Sequence, residues 1–412
     1  MKKFKVVTLG CRTNQYESQG YTDQLRQMGY LPAEEGEEAD LCIVNTCTVT
    51  ESADSHSRHQ IRSLLKRHPR AKLAVTGCMA ESAPDKIRAL DERITVVPNR
   101  EKEELLSQVF PEETLPEFQI QTFDAHTRAF VKVQDGCNSF CTYCIIPYVR
   151  GRSRSRQMGE IVGEVEGLVA NGYKEVVITG INVGDFDGGG RLADLVRAVD
   201  SVPGLQRLRI SSIDPDEIDE DLASAVLEGK TTCPSMHIVL QSGSNVVLKR
   251  MNRKYTRQIF LETVEKMRAK NPDFTVTTDV IVGFPGETEG DFAETLEVMA
   301  QVRFAKVHMF PYSPRQRTRA ALYPNRVAPD VMQKRKQELL RLAEQEAFRL
   351  RERFVGRTMS VLLENEEKEG MIAGHTPNFL RVWVPKVGHA PNELVAVQLV
   401  ENGPDGFLGR IL

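Results

Sequence analysis

The sequence predicts an α/β protein of three units: a small N-terminal parallel α/β domain, a central partial (β/α) barrel and a C-terminal small β-barrel of the OB-like kind. Three observations carry this. Short apolar runs alternate with amphipathic helical stretches over the first hundred residues, and each of three runs ends in a turn bearing a cysteine. From residue 129 the strand–helix alternation continues for about two hundred residues, the pattern of repeated βα units. After Val355 and Gly356 it gives way to five short strand-like runs separated by turn residues such as Asn365, Gly370 and Gly388, which fits a small barrel. The expected division is 1–125, 126–354 and 355–412.

In the first unit, Val6, Val7 and Leu9 form a buried strand stopping at Gly10 and Cys11, and 16–28 reads as a helix with Gly29 just past its end. Residues 41–44 are a second strand followed by Asn45, Thr46 and Cys47. A helical stretch around 61–66 precedes a third strand, 73–75, which leads to Thr76, Gly77 and Cys78. In a parallel sheet the carboxyl ends of the strands lie on one edge, where ligands bind. Cys11, Cys47 and Cys78 therefore converge in this reading as metal ligands, while Cys42, inside its strand, and Cys233, before Pro234, are packing residues. The polar stretch 101–127, with Pro111 and Pro116, reads as a helix and then a linker.

In the second unit the expected strands are 129–133, 175–179, 207–211, 237–240, 275–281 and 305–309. Helices are expected at 159–170, 192–199, 220–228, 257–269 and 289–302, and a long charged helix over 331–353 leads out. Right after the first strand comes Asp135-Gly-Cys137-Asn-Ser-Phe140-Cys141-Thr-Tyr143-Cys144. A loop bending three thiols toward one point suits an iron–sulfur cube, with three irons held by cysteine and the fourth open to a ligand. A structural zinc site needs a fourth ligand, and no histidine lies near this loop. Loops after later strands carry Gly180 and Asn182, Ser212, Gln241, and the run from Asp279 through Gly283 and Pro285. These are residues suited to bonding a ribose or an amino-acid group. Two arginine runs, Arg150, Arg152, Arg154 and Arg156, then Arg315, Arg317 and Arg319, suit phosphate recognition.

Bulk properties restrict the class. The 412 residues are 41% hydrophobic and 27% charged, with a net charge of −3, so no global positive field drives nucleic-acid binding and any RNA contact is local. No run of eighteen apolar residues occurs, which argues against a membrane span. Eight cysteines without a targeting segment favour a reducing cytoplasm, where clustered thiols bind metal.

The C-x₃-C-x₂-C loop with Tyr143 before its last cysteine resembles the signature of the radical S-adenosylmethionine (SAM) superfamily. That resemblance implies a 4Fe-4S cluster on Cys137, Cys141 and Cys144, its open iron chelated by SAM, which one electron cleaves to a 5′-deoxyadenosyl radical. It also assigns SAM contacts to Tyr143, Gly180, Asn182, Ser212, Gln241, Asp279, Gly283 and Pro285. The last stretch departs from the superfamily's Gly-x-Ile-x-Gly-x-x-Pro pattern: Asp279 stands where the first glycine is expected, and Pro285 comes one place early.

The two cysteine triplets together with the terminal β unit resemble, over nearly the full length, the radical-SAM methylthiotransferases. These have an N-terminal cluster domain, a radical-SAM barrel and a TRAM domain. The resemblance implies a second, auxiliary 4Fe-4S cluster on Cys11, Cys47 and Cys78 that holds the sulfur to be methylated and transferred. It further implies an electron donor such as a flavodoxin or ferredoxin, a sulfur source, and tRNA as partner, with Arg150, Arg152, Arg154, Arg315 and Arg317 as RNA contacts. The stretches from Gly10 to Glu17, Asn45 to Thr50 and Arg209 to Ile213 look most like the enzymes acting on threonylcarbamoyladenosine beside the anticodon. Isopentenyladenosine in tRNA and an aspartate of a ribosomal protein stay open at this point. From Val355 onward acidic residues outnumber basic ones, which keeps the protein substrate in view. A metal-containing RNA-binding protein without catalysis is the alternative outside enzymes.

Overall fold

The computed structural model describes residues 2–123 and 126–412; Ala125, the last residue of the expected first unit, lies outside them. The N-terminal sheet is parallel, in the order Leu31–Pro32, Lys3–Thr8, Leu41–Thr46, Lys72–Gly77, Ile94–Val96. Its central strand reads Leu-Cys-Ile-Val-Asn-Thr and is buried along its whole length, as a strand covered on both faces must be. Cys42 is part of that core. The first helix, Arg12–Gln27, begins four residues earlier than the apolar pattern predicts. Its first turn is polar because Thr13, Asn14 and Glu17 are buried against polar groups rather than apolar ones. The second, Glu51–Arg67, also starts early, where the Thr50 side chain accepts a hydrogen bond from the Ala53 N–H and caps the orphan donors of the first turn.

The central sheet has six parallel strands, each hydrogen-bonded to the next in chain order: Arg128–Lys132, Glu175–Thr179, Arg207–Ile213, Thr232–Ile238, Thr275–Val282, Lys306–Pro311. The first and last do not pair, so the curled sheet is an open half-barrel. Helices Met158–Ala170, Leu192–Asp200, Glu220–Leu227, Arg257–Lys270 and Glu289–Val302 cover it through one continuous apolar core. The fourth strand starts well before the expected 237. Pro234, a residue that interrupts a ladder, falls where the register with the third strand slips between the Leu208–Thr232 and Ile210–Met236 pairs, so the missing N–H breaks no regular bond. Cys233 is thus a buried strand residue.

The stretch after Val109 is no free linker. Ile120 and Phe123 are buried, and the Phe118 ring stands 6.4 Å from that of Tyr16 and 5.8 Å from that of Tyr21. Asp23 accepts hydrogen bonds from the Gln121 and Thr122 backbone N–H groups. The segment straps the first helix to the central sheet.

Helix Pro329–Glu352 leads to a closed five-stranded barrel in the order Thr358–Lys368, Met371–His375, Arg381–Pro385, Gly406–Ile411, Leu394–Gly403. Arginines from the third strand of the half-barrel enter it. Arg207 donates to the His375 and Ser360 carbonyls at 2.8 Å each, and Arg209 to those of Pro377 and Thr376. Among the described residues no helix is long and apolar enough to cross a membrane.

Candidate active site

Register explains how three cysteines distant in sequence meet. Thr8 lies opposite Asn45, Asn45 opposite Thr76, and Thr46 opposite Gly77. Cys47 and Cys78 therefore leave two adjacent strands at the same level, with Cys11 beside them at the start of the first helix. Gly10 (φ +91°) turns the chain here, and a Cβ on it would lie 2.9 Å from the Cys47 sulfur. Gly77 (φ +92°) is held against the Thr46 backbone, where any side chain would collide. The thiols grade from exposed Cys11 through half-buried Cys47 to buried Cys78. Burial pushes the Cys78 thiol up to about 12, the nearby Arg150 offsetting part of the rise.

The second triplet lies in the loop after strand Arg128–Lys132. Gly136 (φ +76°) passes so close to the Arg152 carbonyl that a Cβ would overlap it, and Phe140 adopts φ +47°. Donors point at the sulfurs: Ser139 N–H at Cys137 Sγ (3.4 Å) and Arg253 Nη1 at Cys141 Sγ (2.9 Å). Arg253 also pairs with Asp214, and its Nε is buried without a partner. Cys78 shares one apolar cluster with Ile145, Ile146 and Val149, against which Cys137 and Cys144 also pack. The two triplets thus meet across the junction between units.

A buried charge network fixes that junction. Lys102 contacts Glu17 (2.6 Å) and Asp135; Arg150 contacts Asp135 (2.8 Å) and Glu17 (3.3 Å) and donates to Asn14. Lys132 lies 3.7 Å from Glu17. Burial alone would raise the Glu17 carboxyl, but Lys102, Arg150 and Lys132 outweigh it and hold the group down to about 2.

The remaining expected site residues separate into groups. Gly180 and Asn182 lie against Gln134, whose Oε1 accepts from the Ile181 and Asn182 N–H groups at 3.0 Å; Asn182 Nδ2 donates to Glu217 at 2.9 Å. Burial raises Glu217 to about 7. Ser212 is half-buried in its strand, next to Ser211, whose hydroxyl is buried and unpartnered. Gln241 takes φ +61°, bonds to the Asp279 carbonyl through its N–H, and keeps a buried, unpartnered Oε1. Tyr143 stands edge-on to Phe284 at 6.5 Å. Asp279 is inside its strand, not in the loop after it, paired in register with His308 and 3.3 Å from His237 Nε2. Gly283 (φ +77°) and Pro285 belong to a turn tied to the long helix: Gly283 N–H donates to Glu287, which Arg335 holds at 2.7 Å.

Among the arginines, Arg152, Arg154 and Arg317 are exposed, the first over the Phe140 ring at 4.3 Å and the last over the Tyr148 ring at 5.3 Å. Two expectations of RNA contact meet structural roles instead. Arg150 is buried in the charge network, and Arg315 is turned inward onto Asp54 (2.5 Å) and Thr48 (2.8 Å) of the N-terminal unit. Both guanidiniums are drawn to carboxylates that burial makes costly to leave unpaired. Sequence reasoning gave no site role to Gln134, His237, Arg253 and His308, which stand in no motif, nor to Arg12 and Asp214, which lie in stretches it singled out for other residues.

The sites fit iron–sulfur cubes: each offers three thiols, and in a cube each thiolate holds a different iron while the fourth iron is open. Backbone and guanidinium N–H groups directed at sulfur are the donors that stabilise cluster thiolates. The orphaned Ser211 Oγ, Gln241 Oε1 and Arg253 Nε are buried polar atoms of the kind a polar cofactor would satisfy.

Residues 3–98 match the model of Uncharacterized protein family UPF0004, and residues 131–299 that of the Radical SAM superfamily. The chain is 50% identical over 414 residues to the threonylcarbamoyladenosine tRNA methylthiotransferase MtaB of Chlamydia pneumoniae, covering 99% of this chain and 98% of the relative. The chain belongs to the radical-SAM methylthiotransferase family. A second methylthiotransferase relative, the tRNA-2-methylthio-N(6)-dimethylallyladenosine synthase of Desulforamulus reducens, is 36% identical over 100% of this chain and 96% of its own. In fold, the chain resembles the radical SAM methyltransferase TsrM of Kitasatospora setae, with a TM-score of 0.57 at 14% identity over 78% of this chain and 77% of that one. Membership makes the protein a radical-SAM enzyme and implies a 4Fe-4S cluster and SAM.

Proposed function

We propose that this methylthiotransferase converts threonylcarbamoyladenosine beside the tRNA anticodon to its 2-methylthio derivative. The observation that carries the reading is the full-length identity to an enzyme of that name. In this proposal Cys137, Cys141 and Cys144 hold the cluster that binds SAM, and Cys11, Cys47 and Cys78 hold a second 4Fe-4S cluster. When bound, these groups supply a sulfur-borne methyl group and a carbon radical able to open a C–H bond that no acid or base at neutral pH could open.

The chain's own residues do the rest. Arg253 donates to the Cys141 thiolate and is held in place by Asp214. Gln134 orders the backbone at Gly180, Ile181 and Asn182; with Tyr143, Ser212, Gln241 and Asp279 these form the SAM contacts of the proposal. Gly283 and Pro285 act there through the turn they shape. The Glu17–Lys102–Asp135–Arg150 network keeps both thiol triplets at one interface, so that sulfur donor and substrate radical meet away from water. RNA contact falls to Arg152, Arg154 and Arg317. An electron donor of the flavodoxin or ferredoxin kind and a sulfur source complete the partners. Domains of 1–125, 126–354 and 355–412 are supported by the five-stranded sheet, the six-stranded sheet and the closed barrel, each of which falls within one of them.

The test is methylthiolation of synthetic anticodon stem-loops by anaerobically reconstituted protein, read by nucleoside mass spectrometry. Product from the threonylcarbamoyl RNA, absent with Cys141→Ala, is expected. Product only from isopentenyl RNA, or only from a ribosomal-protein peptide, would overturn the reading.

A further inference from the structure

The half-barrel holds a small cavity lined by Arg12, Arg128, Arg209 and His237, and among the described residues the last three have a counter-ion or acceptors. Arg209 donates to Glu175 at 2.6 Å and to barrel carbonyls. Arg128 donates to Glu364 at 3.2 Å. His237 engages Thr277 at 2.9 Å and faces Asp279. Arg12, the first residue of the first helix, has no hydrogen bond or ion pair among the described residues; its guanidinium lies 5.6 Å over the Phe130 ring. It faces the same small cavity as Arg128, Arg209, His237 and Thr277, about 30 Å³ in volume.

Arg12 is half-buried, and a cation partly removed from water and given no partner is costly unless a ligand brings the partner. Arg128 and Arg209 line the same cavity, so an anion entering it would meet three guanidiniums, two of which already have partners in Glu364 and Glu175. The cavity has room for a group of roughly two water molecules, which suits the two oxygens of a carboxylate and excludes a base or a phosphodiester strand. Arg12 directly follows Cys11, so the backbone that carries this guanidinium starts at the first thiol triplet.

We propose that Arg12 is a specificity residue that binds the carboxylate of the substrate's threonyl side chain, and that it separates threonylcarbamoyladenosine from adenosines bearing an apolar N6 group. This rests on the substrate reading above. A planar guanidinium takes a carboxylate through two parallel N–H donors, and an isopentenyl group, which carries no anion, would leave it unpaired.

The experiment pairs protein and substrate changes. Anaerobic, reconstituted but unreduced protein is titrated with anticodon stem-loops carrying the threonylcarbamoyl group as free acid or methyl ester, with Kd read by fluorescence anisotropy and iron per chain measured in parallel. Wild type is expected to prefer the acid about 10- to 100-fold, the scale of a charge-assisted hydrogen bond. Arg12→Met should bind both RNAs alike, with Arg12→Lys in between. Equal affinity of wild type for acid and ester, or a full acid preference in Arg12→Met, overturns the proposal. Should Arg12→Met lose iron, Arg12→Gln carries the same comparison. Turnover keeps the two readings apart: a wild type that methylthiolates the threonylcarbamoyl RNA yet ignores esterification defeats only the role of Arg12. One that modifies only isopentenyl RNA defeats the substrate reading as well.

Discussion

Arg253 shows how one side chain adjusts the chemistry of another. Its guanidinium donates to Cys141 Sγ at 2.9 Å and is itself fixed by Asp214. Hydrogen bonds and positive charge at a cluster sulfur stabilise the reduced, more negative state and raise its potential. Arg253→Met is therefore expected to shift the midpoint of the reconstituted radical-SAM cluster to more negative values in an EPR-monitored titration. A displacement of about 59 mV is tenfold in a one-electron equilibrium, and reductive SAM cleavage should slow in step. An unchanged midpoint would mean that Arg253 only packs.

At the scale of elements, the first helix owes its placement to its contacts with the strap and with the charge network. Gly20 lies so close to the Phe118 ring that a Cβ would overlap it. In an exposed helix Gly→Ala gains about 1 kcal/mol, but overpacking costs about 1–3 kcal/mol, and the half-buried ring would have to shift off Tyr16 and Tyr21 to make room. Gly20→Ala should lower the denaturation midpoint of the apo-protein, and adding Phe118→Leu should restore much of it. The network adds a pH dependence. Glu17 is held at about 2 against an ordinary 4.5, so its folded-state pKa is depressed. The stability it contributes is fully present above pH 4.5 and is lost as pH falls toward 2. Glu17→Gln leaves three cations around a neutral group, an expected loss of about 3–5 kcal/mol at pH 7. The wild-type advantage should shrink between pH 4.5 and 2, as denaturant melts at several pH values would show.

For the whole molecule, the terminal barrel is joined to the half-barrel by arginines reaching across rather than by the connecting helix alone. Arg207 makes two charge-assisted bonds to barrel carbonyls, each worth about 1.5–3 kcal/mol. Arg207→Met should let the barrel open from the body, speeding tryptic cleavage around residues 353–357 at least about tenfold, as followed by mass spectrometry of the fragments. Cleavage at the wild-type rate would place the docking energy elsewhere.

The cysteines were legible in the sequence because their signal is local: a short loop with fixed spacing, and three strands each ending in a turn with one thiol. Strand and helix order were legible for the same reason, since period and turn residues act over a few positions. Boundaries shifted where burial is polar, as in the first turn of helix Arg12–Gln27, or where a proline sits in a register slip, as in strand Thr232–Ile238. What only the tertiary structure decided is which charges meet. Arg150 finds Glu17 across 133 residues and Arg253 finds Cys141 across 112. A lone arginine in a sequence reads alike whether it faces RNA, a buried carboxylate or an empty cavity. The sequence alone determined the two sets of thiols and the fold that carries them, because spacing and periodicity are written along the chain. The fold decided which arginines brace the interface and which one is left facing a cavity, because electrostatic partnership depends on distance in space.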